Sequence, residues 1–458
     1  MRKMYNSFLI IIFPALLVAQ NNNFGTGLKF DDIRYSKNPV AAKLSKGEYD
    51  NLPKSISLKS YAPTPGNQGR TGTCTAWSTA FHAYTIAESI KLNRTQIDKT
   101  DKETFSPSFI YNQIRDAEGC NEGTCIDEAL STMKFIGNLK IRIFPFNCDA
   151  IVQSSDSKLA SSYKIYDFRR LFNIESNQKI LPVKKALSEK NPVIIGMKCC
   201  TPSFYSMNNS GYWTPTQAEH NTDFGGHAMT IIGYDDNLNG GSFQIINSWG
   251  TAWGDDGYFW IKYTDFNFFV MYAFEMILVP PLVADLNGEA EFKLLSGETM
   301  GATFDTGSGI YKMIKPYESG TQFRFYMNNY QPAYVYVVGS DLSNKSFRIF
   351  PYSDSVCAYL GYKSNKVAIP DEDHYVYMDN NKGKDYFCIL YSKYKLDVNE
   401  ILTNLEKASG DFKTRLEKVL AGKLIDPDRI EYQKDVIRFD AKSGNQTIVP
   451  IIIEIIHN

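Results

Sequence analysis

The sequence predicts an α+β chain of two domains. The first, over residues 51–280, has a helical lobe followed by a β-rich lobe; the second, over 281–458, is β-rich with one long helix. Three observations predict this. Apolar residues recur at helical spacing after Cys74, short apolar runs separated by Gly and Asn begin at Val193, and Pro280-Pro281 precedes a second set of alternating segments. At 458 residues the chain exceeds one ordinary core, and 43% hydrophobic residues, with 29 Tyr, 29 Phe and 5 Trp, can fill two. A formal net charge of −1 gives no electrostatic ground for a nucleic-acid partner or an anionic membrane surface. Eight cysteines are too few for a disulfide-dense scaffold and too scattered for a zinc site, so neither metal nor cofactor is expected.

Along the chain, Arg2 and Lys3 precede an apolar run over 8–19, and no acidic residue occurs before Asp31. This reads as a secretory signal peptide over 1–19, so the protein is expected to be exported, to a periplasm or the extracellular space. Pro14 and the polar residues 20–23 stop the run short of the ~20 residues a membrane span needs, so no stable insertion is expected after cleavage. Residues 20–50 are polar and weakly patterned, as in a flexible lead-in or short pro-segment. The stretch 63–69 (PTPGNQG) is turn chemistry. Trp77, Ala80, Phe81, Tyr84 and Ala87 predict a buried helix that starts at or just before Cys74, with further helices over 126–136 and 182–188. Strands are expected over 193–197, 228–234, 242–248 and 257–263, and Asp235 to Asn239 reads as a hairpin turn because it lacks the spacing of a calcium loop. Two such lobes meet in a cleft, a common place for a site. Beyond Pro281, strand-like segments fall at 333–338, 346–350, 375–378, 386–391 and 448–456, with an amphipathic helix over 398–421.

Three segments carry the chemistry: Asn67-Gln68-Gly69-Arg70-Thr71-Gly72-Thr73-Cys74-Thr75-Ala76-Trp77-Ser78, then Gly225-Gly226-His227-Ala228-Met229, then Asn247-Ser248-Trp249-Gly250-Thr251-Ala252-Trp253-Gly254. A free thiol, with a pKa of ~8.5, is mostly protonated at neutral pH; a helix N-terminus and a neighbouring imidazolium both favour the thiolate. Cys74 opens a predicted helix. The imidazole must later protonate a leaving amine, and it needs an orienting acceptor, for which Asn serves. An oxyanion needs donors, and the Cys74 N–H and the Gln68 amide can form a pair. Of five histidines, His82 lies ~12 Å along the same helix as Cys74, out of reach. His374 and His457 fall in the second domain, and His220 lies in a polar loop; His227, at the start of a buried strand, is the candidate base.

In order and approximate separation, these segments resemble the active-site motifs of the papain-like cysteine peptidase family. The resemblance covers about residues 51–280 and implies a two-lobed fold with a helical lobe and a β-barrel-like lobe. Cys74 then resembles the nucleophile, His227 the general acid/base, Asn247 the imidazole-orienting residue, and Gln68 the oxyanion donor. Trp249 resembles the indole that shields the His–Asn bond, and Cys120-Asn121-Glu122-Gly123 resembles the loop that pairs with substrate backbone; Gly72, Gly123 and Trp249 are the implied substrate contacts. The sequence departs from the family at Thr75, where an aromatic residue is usual, and at Thr71, where a disulfide cysteine often stands. Cys120, deprived of that partner, has Cys148 as a candidate and Cys125 as its rival. His227 and Asn247 lie somewhat beyond the family's ~130–150-residue separation from the nucleophile, which implies loop insertions. Residues 281–458 more loosely resemble a β-sandwich domain appended to bacterial peptidases and kinases.

The reading is an exported cysteine endopeptidase acting on extended peptides or proteins. Its rivals are a catalytically silent binding or adhesion protein on the same scaffold and an exopeptidase variant. Cys199-Cys200 reads as packing, or as partners of distant cysteines, and Cys357 and Cys388 could bridge two strands.

Overall fold

The computed structural model describes residues 24–207, 211–278, 285–341, 343 and 345–458. The expected signal peptide and the Pro280-Pro281 boundary lie outside the described residues.

The helical lobe is built around one continuous run, helical over Cys74–Ala76, wound as a wider π-type helix over Trp77–Tyr84, and α-helical again over Thr85–Lys91. Every residue from Cys74 to Ala87 is buried, so this helix is the lobe's axis rather than a surface element. Helices Pro107–Ile114 and Ile126–Phe135 pack against it, the former capped by Ser106, whose hydroxyl accepts the Phe109 N–H. The second lobe is an eight-stranded sheet. Its order is Asp167–Arg170, Val270–Ile277, Val193–Lys198, Gly226–Asp235, Ser242–Ile246, Tyr258–Lys262 and Tyr212–Trp213, with Ser55–Ser57 paired separately to Gly226–Asp235. Central strands buried on both faces explain the near-continuous apolar runs that mark them in the sequence. The expected turn after Asp235 is a hairpin: Asp235 pairs with Ser242, and Asn239, Gly240 and Gly241 have φ of 52°, 81° and 105°.

The C-terminal β-rich region is two packed sheets. One contains Gly383–Ser392 between Ala333–Ser340 and Ile448–His457; the other is centred on Gln322–Asn329 and Asp285–Leu294. Alternate residues meet between them: Val335, Ile389 and Ile451 from one sheet, Phe292, Phe325 and Phe439 from the other. The opposite face, with Tyr336, Cys388 and Ile452, is covered by helices. The stretch expected as one helix over 398–421 is two, Val398–Lys407 and Phe412–Val419. Gly410 at φ 117° breaks the run, and Asp411 caps the second helix by accepting the Thr414 N–H. Cys357 and Cys388, a candidate bridge, are free and buried. Where the two regions meet, Arg169 is buried against Glu275 at 2.9 Å and donates to the Tyr359 carbonyl, while the Tyr362 hydroxyl donates to Glu275.

Candidate active site

The turn before Cys74 is locked to the strand lobe. The Asn67 side chain accepts the Gly69 N–H, with Gly69 at φ 64°; Gln68 N–H donates to the Ser248 carbonyl at 2.9 Å, and Gly250 N–H to the Gly66 carbonyl at 2.9 Å. These bonds bring residues 67–74 against 247–250, although the two segments lie far apart in the chain. Gln68 is buried; its Nε2 donates to the Thr71 carbonyl at 2.7 Å and its Oε1 accepts the Ser248 hydroxyl. One amide N–H of Gln68 is used in this way, which leaves its other for a ligand.

His227 begins the strand Gly226–Asp235, and its Nε2 lies 2.7 Å from Asn247 Oδ1. That oxygen also accepts the Ser248 N–H at 2.8 Å, so it is the acceptor and His227 Nε2 carries the proton. His227 Nδ1 is then a bare base nitrogen, buried and without a hydrogen-bond partner. The Trp249 ring lies tilted over the imidazole, centroids 4.8 Å apart, and Phe204 approaches edge-on. Cys74 lies under the same strand: its Sγ accepts the N–H of Ala228, the residue after His227, at 3.5 Å.

Sequence reasoning expects an ionised sulfur here, and the structure differs. Burial pushes the Cys74 thiol up to about 12 and the His227 imidazole down to about 4, the Asn247 bond only partly offsetting the latter. In this closed form burial therefore favours the neutral thiol and the neutral imidazole. The cause is a segment of the chain itself. Residues 24–28, expected within a flexible lead-in, are ordered and fill the cleft. Gly25 N–H donates to the Gly69 carbonyl at 2.8 Å, Thr124 N–H to the Gly27 carbonyl at 2.8 Å, and Leu28 N–H to the Gly226 carbonyl at 3.3 Å. The Gly27 N–H points at Cys74 Sγ.

Each expected substrate contact touches this strap. The Trp249 indole N–H donates to the Gly25 carbonyl at 2.9 Å, and its ring stacks on Phe24 at 4.7 Å. A Cβ on Gly123 would stand 2.4 Å from the Gly27 carbonyl oxygen, and a Cβ on Gly27 would stand 2.1 Å from that of Gly72. Backbone pairing itself falls to Thr124, one residue beyond Gly123. Leu28, buried, enters a pocket beside Gly196, Ile126 and Tyr272; a Cβ on Gly196 would lie 2.8 Å from Leu28 Cδ2. Sequence reasoning missed the strap and this pocket. The available signal was Phe24-Gly25-Thr26-Gly27-Leu28, two glycines spaced between apolar anchors.

The other residues singled out in the sequence lie as follows. Cys120 and Cys148 form a disulfide with Cα atoms 5.4 Å apart, and Cys125 is free. His82 is a buried histidine accepting the Gly66 N–H, pushed down to about 3 by burial. His220 sits beside Asp265 at 3.4 Å. Cys199 and Cys200 are free. Among the described residues no group of three or more His, Cys, Asp or Glu side chains could hold a metal ion. Nor is any helix among them long and apolar enough to cross a membrane.

Residues 52–272 match the family model described as papain family cysteine protease. An uncharacterized peptidase C1-like protein of Acanthamoeba polyphaga mimivirus is 29% identical over 243 residues, 49% of this chain and 71% of that protein. A senescence-specific cysteine protease of Arabidopsis thaliana is 30% identical over 229 residues, 48% of this chain and 61% of its own length. Among solved structures, xylellain, a cysteine protease from Xylella fastidiosa, aligns with a TM-score of 0.46 at 26% identity, covering 56% of this chain and 96% of its own.

Proposed function

We infer that the papain-family region at residues 52–272 makes this chain a cysteine-type peptidase, with Cys74, His227, Asn247 and Gln68 as its working set. The observation that carries the assignment is the bare His227 Nδ1, held by the Nε2–Asn247 bond on the strand whose next N–H touches Cys74 Sγ.

With the strap withdrawn, water and substrate replace it and the penalty on charge falls. The Cys74 proton passes to His227 Nδ1. The thiolate attacks the peptide carbonyl carbon, forming a C–S bond, and the oxyanion takes the Cys74 backbone N–H and the spare Gln68 amide N–H. The imidazolium then protonates the leaving amine as the C–N bond breaks. Water, giving a proton back to His227, cleaves the thioester and releases the acid and Cys74. Asn247 keeps the imidazole in the tautomer this requires. Asn247→Ala is expected to lower kcat by roughly 10–100-fold with little change in KM, checked by steady-state kinetics on the strap-free protein.

Extended substrates running past the sulfur, as residues 24–28 do, favour endopeptidase action. The basic start and apolar run over residues 2–19 support export. Positional-scanning cleavage under reducing conditions tests the assignment: hydrolysis that favours leucine-sized side chains at the site of Leu28 supports it. The absence of turnover from a strap-free protein contradicts it.

In the closed form burial holds the Cys74 thiol up and the His227 imidazole down. Opening passes the thiol proton to His227, so the pair takes up no net proton near neutral pH and closure of the strap is expected to be insensitive to pH there. Peptidase activity of the intact chain, assayed from mildly acid to neutral pH, checks this.

A further inference from the structure

We propose that the C-terminal β-rich region is the anchor of the strap. On this account its edge is a docking surface for residues 38–49, and that docking sets how often the catalytic cleft is filled. The inference rests on the peptidase reading above and concerns the regulation of the same site.

Downstream of the cleft, the strap does not leave the molecule. Lys29 pairs with Asp116 at 2.6 Å, and Arg34 pairs with Asp127 and Glu128 at 2.6 Å each. Tyr35 is buried and stacked on Tyr272 at 4.2 Å. The chain then runs extended between the two regions and bonds to both. On the peptidase side, Arg170 N–H donates to the Pro39 carbonyl and Ala41 N–H to the Arg170 carbonyl, at 3.0 and 2.9 Å. On the C-terminal side, Val40 N–H donates to the Ser355 carbonyl at 2.7 Å, Cys357 N–H to the Val40 carbonyl at 2.8 Å, and Ser45 N–H to the Lys366 carbonyl at 2.9 Å.

The side chains alternate with the same logic. Val40, Ala42 and Leu44 enter or pack on the core of the C-terminal region, followed by Tyr49, whereas Ala41 packs on that of the peptidase sheet. Leu44 is buried among residues of the C-terminal core, and burial pushes the Tyr49 hydroxyl up to about 12. Three alternating apolar side chains and Tyr49 thus fasten residues 38–49 to the C-terminal region, while Ala41 packs on the peptidase core; the strap's other holds on the peptidase lie upstream, at Lys29, Arg34 and Tyr35. Residues 29–37 between cleft and anchor hold to the peptidase through Lys29, Arg34 and Tyr35, with Asp31, Asp32, Ile33, Ser36 and Lys37 exposed, so the cleft end lifts by breaking these contacts while residues 38–49 stay docked. The strap behaves as a tethered competitor, whose effective concentration at the cleft depends on its attachment.

The test is a double-mutant cycle in the full chain, using Leu44→Asp to loosen the anchor and Gly27→Trp to bar the strap from the cleft. Turnover of a short fluorogenic peptide is read beside the circular dichroism spectrum. The inference predicts that Leu44→Asp raises kcat/KM about 10-fold or more in the otherwise unaltered chain, and changes it less than 2-fold in the Gly27→Trp background. Val40→Pro, which removes one anchoring N–H, is expected to act in the same direction. No rise from either anchor variant in a folded chain that Gly27→Trp does activate overturns the inference and leaves the peptidase reading intact. A similar fall in both backgrounds also overturns it, because it marks a structural role. If Gly27→Trp itself gives neither turnover nor labelling of Cys74, the peptidase reading fails and the inference with it.

Discussion

Cys74→Ala is expected to abolish peptide hydrolysis, with kcat falling on the order of 10⁵-fold or more in a strap-free background. The size follows from position. Cys74 opens the buried helix, its backbone N–H is the proposed oxyanion donor, and its sulfur lies beneath the strand that carries His227. Alanine keeps the helix and the backbone donor but removes the atom that forms the acyl bond. Of the other free cysteines, Cys125, Cys357 and Cys388 are buried elsewhere and Cys199 is buried in the strand-lobe core; Cys200, half-buried beside Gly225, lies nearest the site, and Cys200→Ser serves as the control that keeps activity. Since Cys74 is fully buried and makes only weak sulfur hydrogen bonds, the fold should survive. Loss of activity with an unchanged melting temperature is the expected pairing, and residual activity within 100-fold of the parent would contradict the role.

Gly27→Trp is expected to raise turnover of a short peptide by the intact chain by about 100-fold. A Cβ at this position would stand 2.1 Å from the Gly72 carbonyl oxygen, which is backbone and cannot yield cheaply. The Gly72 loop is itself pinned, its N–H donating to the Cys120 carbonyl at 2.6 Å and Cys120 bridging to Cys148. The strap therefore lifts. A 100-fold gain requires only that closure be favoured by about 2.7 kcal/mol in the parent, well within the reach of the strap's backbone bonds and the burial of Leu28. Gly25→Trp should act likewise, since its Cβ would meet the Thr71 carbonyl oxygen at 2.1 Å. Steady-state assays of both against the parent check this; unchanged activity in both would show that the segment does not gate the cleft.

The candidate set was picked out in the sequence because nucleophilic chemistry restricts residue types: a thiol at a helix start, an imidazole with an acceptor, an amide donor; its catalytic role stays a proposal, and the structure shows only that these residues lie together. Strand and helix positions were readable because an apolar run bounded by polar and Gly residues marks Val193–Lys198, buried on both faces, and apolar residues recur at helical spacing after Cys74. The ionisation state was not. It depends on who occupies the cleft, and the occupant announces itself only by glycines at 25 and 27 whose need arises from carbonyls of Thr71 and Gly72 far along the chain. The lead-in looked weakly patterned because its strand residues alternate between two different cores, Val40, Ala42 and Leu44 into one and Ala41 into another, with no single apolar face. The break between helices Val398–Lys407 and Phe412–Val419 was obscured because apolar periodicity continues past it; Gly410-Asp411 was the overlooked mark.

The most direct measurement is the rate at which iodoacetamide alkylates Cys74 as pH is varied, followed by mass spectrometry in the intact chain, in Gly27→Trp, and in Gly27→Trp with His227→Ala. The account predicts almost no labelling at neutral pH in the intact chain, where the thiol is pushed up to about 12. It predicts fast labelling in Gly27→Trp that is already level at mildly acid pH, and loss of that plateau when His227 is removed. If Cys74 in the open chain titrates like a free thiol near ~8.5, with or without His227, the proposed ion pair does not exist.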